Sequence, residues 1–163
     1  MIGQTISHYK ILEKLGEGGM GVVYKAQDTK LDRFVALKFL PAHLSNSDYE
    51  QIRFLQEAKS ASALNHPNVC TIYGIDEYEG QQFIEMELVD GKTLKDTLSD
   101  DDKSKTSLLS MKQVVEFGIQ IGEALQEAHN KGIIHRDIKA ENIMVNSKNQ
   151  KQYGLRSLKR TLT

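Results

Sequence analysis

Short apolar runs separated by glycines and polar turns fill the first part of the chain. The runs are YKILEKLG, VVYKAQD and FVALKFL, and they are rich in β-branched and aromatic residues. The polar loop DTKLDR separates the second run from the third. This pattern predicts consecutive β-strands joined by short turns.

The segment after these strands changes to the spacing of an amphipathic helix. Ser47 is followed three residues later by Glu50, which is the capping-box signature of a helix N-terminus. Apolar residues then recur at helical spacing, and Pro67 lies just beyond the expected end of the helix. The apolar positions of this pattern are Ile52, Leu55, Ala58 and Leu64.

More strands and helices follow in the second half of the chain. The runs VCTIYGIDEY and QQFIEMELV predict a hairpin with Glu79 and Gly80 in its turn, and VDGKTLKDTL predicts a turn and a short helix. A longer helix is expected to begin at Ser110, which has Gln113 as its capping partner, and to stop at Gly132. The apolar stripe of this helix comprises Val114, Phe117, Ile121, Leu125 and Ala128.

The order of elements predicts an α+β fold with two unequal parts. A chain of 163 residues is long enough to bury a core, and a formal net charge of −1 gives no indication of a nucleic-acid or membrane-surface partner. The chain has one cysteine, no apolar run of about 20 residues and no signal-peptide pattern at its N-terminus. These features predict a cytoplasmic protein without a membrane span.

The stretch LGEGGMGVVYKA contains the pattern G-x-G-x-x-G, formed by Gly16, Gly18 and Gly21. Glycines let a backbone approach phosphate groups closely, although the pattern also occurs in glycine-rich hairpins that bind nothing. A dinucleotide-binding fingerprint would open a helix after the third glycine. Because Val22, Val23 and Tyr24 are strand-like, the pattern favours a hairpin that covers a mononucleotide.

Lys38, in VALKFL, and Glu57, in the predicted helix, form a candidate ion pair. The lysine is expected on the strand next to the glycine hairpin, where a buried ammonium needs a carboxylate partner. Glu57 lies between apolar positions of a helix that would pack on the sheet. The alternatives are a solvated lysine on a sheet surface and an exposed glutamate on a helix.

The stretch HRDIKAEN places several charged and polar side chains directly after the apolar pair Ile133 and Ile134. Asp137 can accept a proton from a hydroxyl, Lys139 can neutralise a phosphoryl group, and Asn142 can hold a hard cation through its amide oxygen. His135 is interpreted as a packing residue whose ring pins this loop.

These motifs occur in an order that resembles that of protein kinases, and the likeness is greatest to the bacterial Hanks-type serine/threonine kinases. GEGGMG resembles their glycine-rich loop, VALK their lysine strand and HRDIKAEN their catalytic loop. FLQEAKSASALNHPNV resembles the helix of the N-terminal lobe, and EMELVDGKTL resembles the segment that joins the lobes. The resemblance covers residues 9–145.

This resemblance implies an α+β kinase-like fold. A small N-terminal lobe, made of an antiparallel sheet and one helix, would occupy residues 9–89, and an incomplete helical C-terminal lobe would occupy 90–145. The implied cofactors are ATP and Mg²⁺, and the implied partners are proteins with serine or threonine hydroxyls.

The resemblance also assigns roles to individual residues. Glu57 would pair with Lys38, Met86 would be the gatekeeper beside the adenine, and Asp137 would be the base for the substrate hydroxyl. Lys139, two residues after Asp137, matches serine/threonine rather than tyrosine kinases. Asn142 would bind one magnesium ion. The implied adenine contacts are Val23 and Ala36, which would cover the ring faces, and backbone groups of Glu87 and Val89.

Residues 146–163 depart from the kinase pattern. The resemblance implies an Asp-Phe-Gly about a dozen residues after Asn142, but the sequence contains none, and from Asn142 onward it has no Asp or Glu. The codons TAT GGA CTT CGG TCT, one encoding of Tyr153–Ser157, read as Met-Asp-Phe-Gly one base later. We therefore hypothesise an out-of-frame tail from about residue 151, with a genuine but divergent tail as the alternative. The coding DNA distinguishes them.

The sequence therefore predicts a serine/threonine protein kinase by family, with the polypeptide as written an inactive fragment. The alternative is an ATP-binding pseudokinase or interaction module without catalysis.

Overall fold

The computed structural model describes residues 1–18, 21–41, 47–99 and 109–146, and the backbone of residues 153–155. The chain divides into two compact units. The N-terminal unit comprises Met1–Ser62 and Thr71–Leu88, and the C-terminal unit comprises Ala63–Cys70 and Val89–Thr163. The division into residues 9–89, 90–145 and 146–163 stays a prediction.

A six-stranded sheet forms most of the N-terminal unit, with the strand order β1-β2-β3-β4-β6-β5 and antiparallel pairing throughout. Its strands are β1 (Thr5–Ile6), β2 (Tyr9–Gly18), β3 (Gly21–Asp28), β4 (Arg33–Phe39), β5 (Ile72–Tyr78) and β6 (Gln81–Glu87). All the strands expected from the apolar runs are present, which confirms the strand predictions. Glu79 and Gly80 form the β5–β6 turn with φ angles of 51° and 77°. Positive φ at both central residues is what the type I′ turn of a two-residue hairpin requires.

The core of the N-terminal unit lies on one face of this sheet. Alternate residues of each strand point to this face, so β4 contributes Val35, Leu37 and Phe39. The ring of Phe39 lies 5.0 Å from that of Phe83 between centroids, and Tyr9 meets Phe83 edge-on at 5.9 Å. The buried cluster comprises Ile6, Tyr9, Ile11, Ala26, Val35, Leu37, Phe39 and Phe83.

Helix α1 (Asp48–Ser62) begins where the capping residue predicts, because the Ser47 hydroxyl accepts the backbone N–H of Glu50 at 3.4 Å. The predicted apolar face is wrong in part. Ile52 is 54% exposed, whereas the buried side of the helix comprises Phe54, Glu57, Ala58, Ser60 and Ala61. The buried positions follow helical spacing, but one of them, Glu57, is charged. A search for apolar residues alone therefore does not find this face, which comprises Phe54, Glu57, Ala58 and Ala61.

The C-terminal unit contains the remaining elements. They are β7 (Gly91–Thr93), α2 (Leu94–Ser99), α3 (Met111–Asn130), a 3-10 turn (Ala140–Asn142), β8 (Ile143–Asn146) and β9 (Tyr153–Leu155). The three strands form a small antiparallel sheet in the order β7-β8-β9. Of the segment 146–163, only Asn146 and the backbone of β9 are described, so the hypothesis of an out-of-frame tail lies mostly outside the described residues.

Helix α3 has the predicted caps at both ends. Ser110 and Gln113 form a reciprocal capping box. At the other end Gly132 adopts a φ of 71°, and the N–H groups of Gly132 and Ile133 donate to the carbonyls of His129 and Ala128, as in a Schellman motif.

The predicted apolar stripe of α3 is wrong at one position, because Val114 is 49% exposed. The fully buried positions are Phe117, Ala124 and Ala128, so the buried side is rotated away from Val114. In the described ranges, none of the helices combines the length and apolar composition that crossing a bilayer requires.

Asp28, at the end of β3, is a buried carboxylate that organises the turn to β4. Its Oδ1 accepts the backbone N–H groups of Lys30 and Leu31 at 3.0 and 3.1 Å, and its Oδ2 lies 3.5 Å from Nε of Arg33. Burial raises the pKa of Asp28, but these two hydrogen bonds and the charges of His8 and Arg33 outweigh burial and lower it overall.

We expect Asp28→Asn to lower the free energy of unfolding at neutral pH by about 1–3 kcal/mol, since the buried donors lose a charged acceptor. A carboxylate with a lowered pKa stabilises the fold above its unfolded-state pKa of about 3.9, and this contribution is lost as the pH falls through the folded-state value. The difference between wild type and variant should therefore shrink in acid. Urea unfolding at about pH 7 and pH 3, followed by circular dichroism, measures it.

Asp32→Asn is the matched control, because Asp32 is exposed in the same turn and its side chain accepts one hydrogen bond, from Gln27 at 3.3 Å. The control should change stability by less than about 0.5 kcal/mol. Equal effects of the two substitutions at neutral pH would contradict the role given to Asp28.

Candidate active-site residues

The glycine motif forms the end of the β2–β3 hairpin. Gly16 pairs with Val23, and Gly18 pairs with Gly21, while residues 19 and 20 lie outside the described ranges. After Gly21 the chain continues as a strand to Asp28. The dinucleotide-binding alternative requires a helix at this point, so it is excluded.

The glycines of this hairpin are required for different reasons. Gly21 has a φ of 137°, and a Cβ atom there would overlap the backbone carbonyl oxygen of Phe39 on β4. Among the described residues, nothing lies within 4 Å of a Cβ placed at Gly16 or Gly18. Gly21 is therefore needed for strand packing, whereas the described part of the chain does not crowd Gly16 and Gly18.

Lys38 and Glu57 form the ion pair that the sequence predicts. Nζ of Lys38 lies 3.1 Å from Oε1 of Glu57, with the two side chains 14% and 8% exposed. The ammonium also lies 5.8 Å from the ring centroid of Phe54. The alternatives of a solvated lysine and an exposed glutamate are therefore excluded. Breaking such a buried pair leaves an uncompensated charge, so α1 and β4 are strongly tied together.

Three other predicted residues share the face of the sheet that carries Lys38. Ala36 lies two residues before Lys38 on β4, and paired strands present directly opposite residues on the same face. Val23 on β3 pairs with Lys38, and Met86 on β6 pairs with Ala36. Ala36 and Met86 are buried, and Val23 is half-buried. The sheet thus brings an ammonium and three apolar side chains together.

Glu87, the last residue of β6, is held by the residue that precedes β5. Its backbone N–H donates to the carbonyl of Thr71 at 2.8 Å, and its Oε2 accepts the N–H of Thr71 at 3.2 Å. Val89 is half-buried, belongs to the C-terminal unit and precedes β7.

Asp137 lies in a loop of the C-terminal unit that is held by its own neighbours. The buried ring of His135 accepts the backbone N–H of Asp137 at 3.2 Å through Nδ1. Arg136, between them, has a φ of 60°, which is the left-handed region that few side chains adopt. The predicted packing role of His135 agrees with this geometry, because its ring fixes the turn before Asp137.

Lys139 and Asn142 converge on the same carboxylate. The amide nitrogen of Asn142 donates to the Asp137 carbonyl at 2.9 Å and to Oδ2 at 3.0 Å, and Nζ of Lys139 lies 3.2 Å from Oδ2. The 3-10 turn positions Asn142, because its N–H donates to the Lys139 carbonyl at 2.9 Å. The ammonium and the amide together hold this carboxylate in a fixed orientation.

Sequence patterns do not predict the exposed ion pair between Lys95 on α2 and Glu141, whose charged atoms are 3.1 Å apart. Hydrogen bonds from the Glu141 backbone N–H and from Lys95 lower the pKa of Glu141. The only sequence signal for this ion pair is that Glu141 directly precedes the predicted site residue Asn142.

The predicted site residues thus fall into two groups. Lys38, Glu57 and the glycine hairpin belong to the N-terminal unit, and Asp137, Lys139 and Asn142 belong to the C-terminal unit. Lys38 contacts Glu57 in the first group, and Lys139 contacts Asp137 in the second.

Comparison with known proteins identifies the class that this fold and these residues define. Residues 9–159 match the family described as "Protein kinase domain". The chain is 41% identical over 140 residues to a probable serine/threonine-protein kinase, PknB, of Lactococcus lactis, an alignment covering 85% of this chain and 22% of that protein. It is also 41% identical over 146 residues to the serine/threonine-protein kinase PrkC of Bacillus subtilis, with 89% of this chain and 22% of that protein covered.

Solved structures agree with this result. The crystal structure of the Mycobacterium tuberculosis PknI kinase domain matches with a TM-score of 0.78 and 28% identity, over 95% of this chain and 61% of that one. The chain therefore belongs to the protein kinase domain family, and the expected kinase-like α+β fold is confirmed. The chain spans about a fifth of the length of the curated relatives it matches.

The two roles of the glycines give a prediction. Gly21→Ala should destabilise the protein by about 1–3 kcal/mol, because its backbone conformation and the nearby Phe39 carbonyl both oppose a Cβ atom. Gly16→Ala should change the free energy of unfolding by less than about 1 kcal/mol. Urea unfolding of both variants measures the difference, and comparable losses would show that the close approach to β4 is unimportant.

Proposed function

We propose that the protein transfers the γ-phosphoryl group of ATP to serine or threonine hydroxyls of other proteins. The observation that carries this proposal is the buried ion pair of Lys38 with Glu57 on the sheet that ends in the glycine hairpin. The arrangement supports the proposal because a fixed ammonium and the N–H groups of a glycine-rich hairpin can both bind the oxygens of a polyphosphate. Membership of the protein kinase domain family also supports phosphoryl transfer as the reaction.

In this proposal all the nucleotide-binding residues except Val89 belong to the N-terminal unit. Lys38 binds phosphate oxygens while Glu57 holds its ammonium in place, and Val23 and Ala36 cover the adenine ring. The N–H of Glu87 donates to Thr71, so the proposed hydrogen bond with adenine uses the Glu87 carbonyl. The proposed nucleotide-binding residues are Gly16, Gly18, Gly21, Val23, Ala36, Lys38, Glu57, Glu87 and Val89.

The C-terminal unit carries the proposed catalytic groups. Asp137 accepts the proton of the substrate hydroxyl, and Lys139, beside it, stabilises negative charge on the transferred phosphoryl group. The amide nitrogen of Asn142 faces Asp137, so its oxygen is the atom suited to a hard cation, and this donor fits Mg²⁺. When bound, the ion would supply positive charge that neutralises the phosphates.

Turnover by the 163-residue polypeptide itself is a separate matter. In the kinase mechanism magnesium has, besides the Asn, an acidic ligand, the Asp of Asp-Phe-Gly, and this sequence contains no Asp-Phe-Gly. Loss of one member of such a set commonly lowers the rate by about 10⁴–10⁶. We therefore infer that this polypeptide binds ATP but does not turn it over at a useful rate. An ATP-binding module without catalysis is the second candidate, and it shares the same nucleotide contacts.

The proposal predicts that Lys38→Met weakens the binding of magnesium-ATP at least about tenfold, because a charge-assisted contact to phosphate is lost and Glu57 loses its ammonium partner. Isothermal titration calorimetry with the full chain measures Kd. Lys25→Met is the matched control, since Lys25 lies on the neighbouring strand and pairs with Glu13 at 3.1 Å on the surface. An equal effect of both substitutions would contradict a specific role for Lys38.

Phosphate transfer tests the catalytic part. Incubation with labelled ATP, magnesium and a basic protein substrate should give no incorporation above background. Incorporation by the wild type that Asp137→Ala abolishes would support kinase chemistry and overturn the view that this polypeptide is inactive. A wild type that does not bind ATP would overturn the proposed function.

A further inference from the structure

Arg33, the first residue of β4, connects four strands of the N-terminal sheet. Its Nη2 lies 2.9 Å from Oε1 of Glu85 on β6, and its Nε lies 3.5 Å from Oδ2 of Asp28 on β3. Its guanidinium carbon lies 3.9 Å from the ring centroid of Tyr73 on β5. We call these four residues the Arg33 clamp.

The clamp runs diagonally across the sheet. The residue opposite Glu85 on β4 is Leu37, so the guanidinium reaches four residues beyond its own position on β4. On β5, Tyr73 is the residue at the register shift between Ile72 and Gly74, where β5 carries one residue more than β6. The bulge therefore presents the Tyr73 ring to Arg33.

Both acidic members of the clamp are buried, with the side chains of Asp28 and Glu85 only 1% and 11% exposed. Burial raises the pKa of Tyr9, and a hydrogen bond with Glu85 raises it further, so the tyrosine remains a neutral donor to this carboxylate. The Arg33 side chain is 35% exposed, and an ion pair that is open to solvent on one side contributes little to stability. The clamp is therefore better explained by the geometry it imposes than by stability alone.

The clamp lies at the end of the sheet that carries the proposed adenine contacts. Glu85 directly precedes Met86, which pairs with Ala36, and it lies two residues before Glu87, whose N–H is already fixed by Thr71. Residues 85 and 36 point to opposite faces, because Glu85 shares the face of Leu37. Glu85 and Glu87 are two residues apart on β6, so we expect a shift of β6 at Glu85 to displace the Glu87 carbonyl, although the clamp side chains are not themselves among the proposed nucleotide contacts.

From this geometry we infer that Arg33 is a positioning residue for the nucleotide base. It fixes β6 against β4 so that the Glu87 carbonyl meets the exocyclic amine of adenine, and it thereby sets the preference for adenine over guanine nucleotides. Guanine carries a carbonyl at the equivalent position, which cannot donate to Glu87. Sites built around one polar contact discriminate strongly against a base that lacks the matching group. This inference rests on the proposed function.

The test measures Kd for magnesium-ATP and magnesium-GTP on the full chain by calorimetry. Two variants remove the clamp: Arg33→Met, and the double variant Arg33→Met/Glu85→Met, which leaves no unpaired Glu85 and keeps the buried volume apolar. In both we expect Kd for ATP to rise about tenfold and Kd for GTP to change less than about twofold. Tyr73→Leu, which removes only the stacking partner, should give a smaller shift in the same direction.

Arg53→Met is the matched control, because Arg53 also pairs with a glutamate, Glu50 at 3.5 Å, but on the surface of α1. It should leave both constants unchanged. Thermal unfolding of each variant verifies that it is folded at the titration temperature. An ATP-to-GTP ratio in the folded double variant equal to that of the wild type would overturn the inference alone. A wild type that binds neither nucleotide would overturn the proposed function as well.

Discussion

The ion pair between Lys38 and Glu57 constrains how α1 packs on the sheet. Removing two charges from water costs several kcal/mol per ion, so each charge must meet the other at close range. Their separation of 3.1 Å requires α1 to turn its Glu57 side to β4, and Phe54, Ala58 and Ala61 are buried with it. Exposure of Ile52 is the consequence. The rotation of the helix thus follows from electrostatics as much as from apolar burial.

Local signals account for what the sequence predicts correctly. Strand alternation, the caps at Ser47 and Ser110, and the stop at Gly132 each depend on residues within a few positions of one another. The same holds for the Asp137 loop, where His135 and Asn142 lie two and five residues away. The apolar pattern does not predict the rotation of α1, because Glu57, one of its buried residues, is charged.

Long-range geometry explains the rest. Arg33 and Glu85 are 52 residues apart, and their contact depends on strand order, on register and on the bulge at Tyr73. None of these features leaves a local pattern in the sequence. Glu85, within the apolar run FIEMEL, indicates only that a buried carboxylate there needs a partner. The buried face of α3 was equally hidden, since Val114 and Phe117 are both apolar and only packing distinguishes them.

Strand β4 carries charged residues on both faces of the sheet. Arg33 and Lys38 are five positions apart, so their side chains point to opposite faces, with the apolar core beside the first and α1 beside the second. Ion pairs on both faces hold β4 in place, whereas in the described part of the chain a Cβ added at Gly16 or Gly18 would meet nothing within 4 Å. A site built in this way keeps its ammonium and its base-binding strands preorganised and leaves adjustment to the glycine backbone. Preorganisation lowers the entropy lost on binding. We therefore expect loss of the Arg33 clamp to weaken the binding of ATP, and much less that of GTP, even where the fold survives.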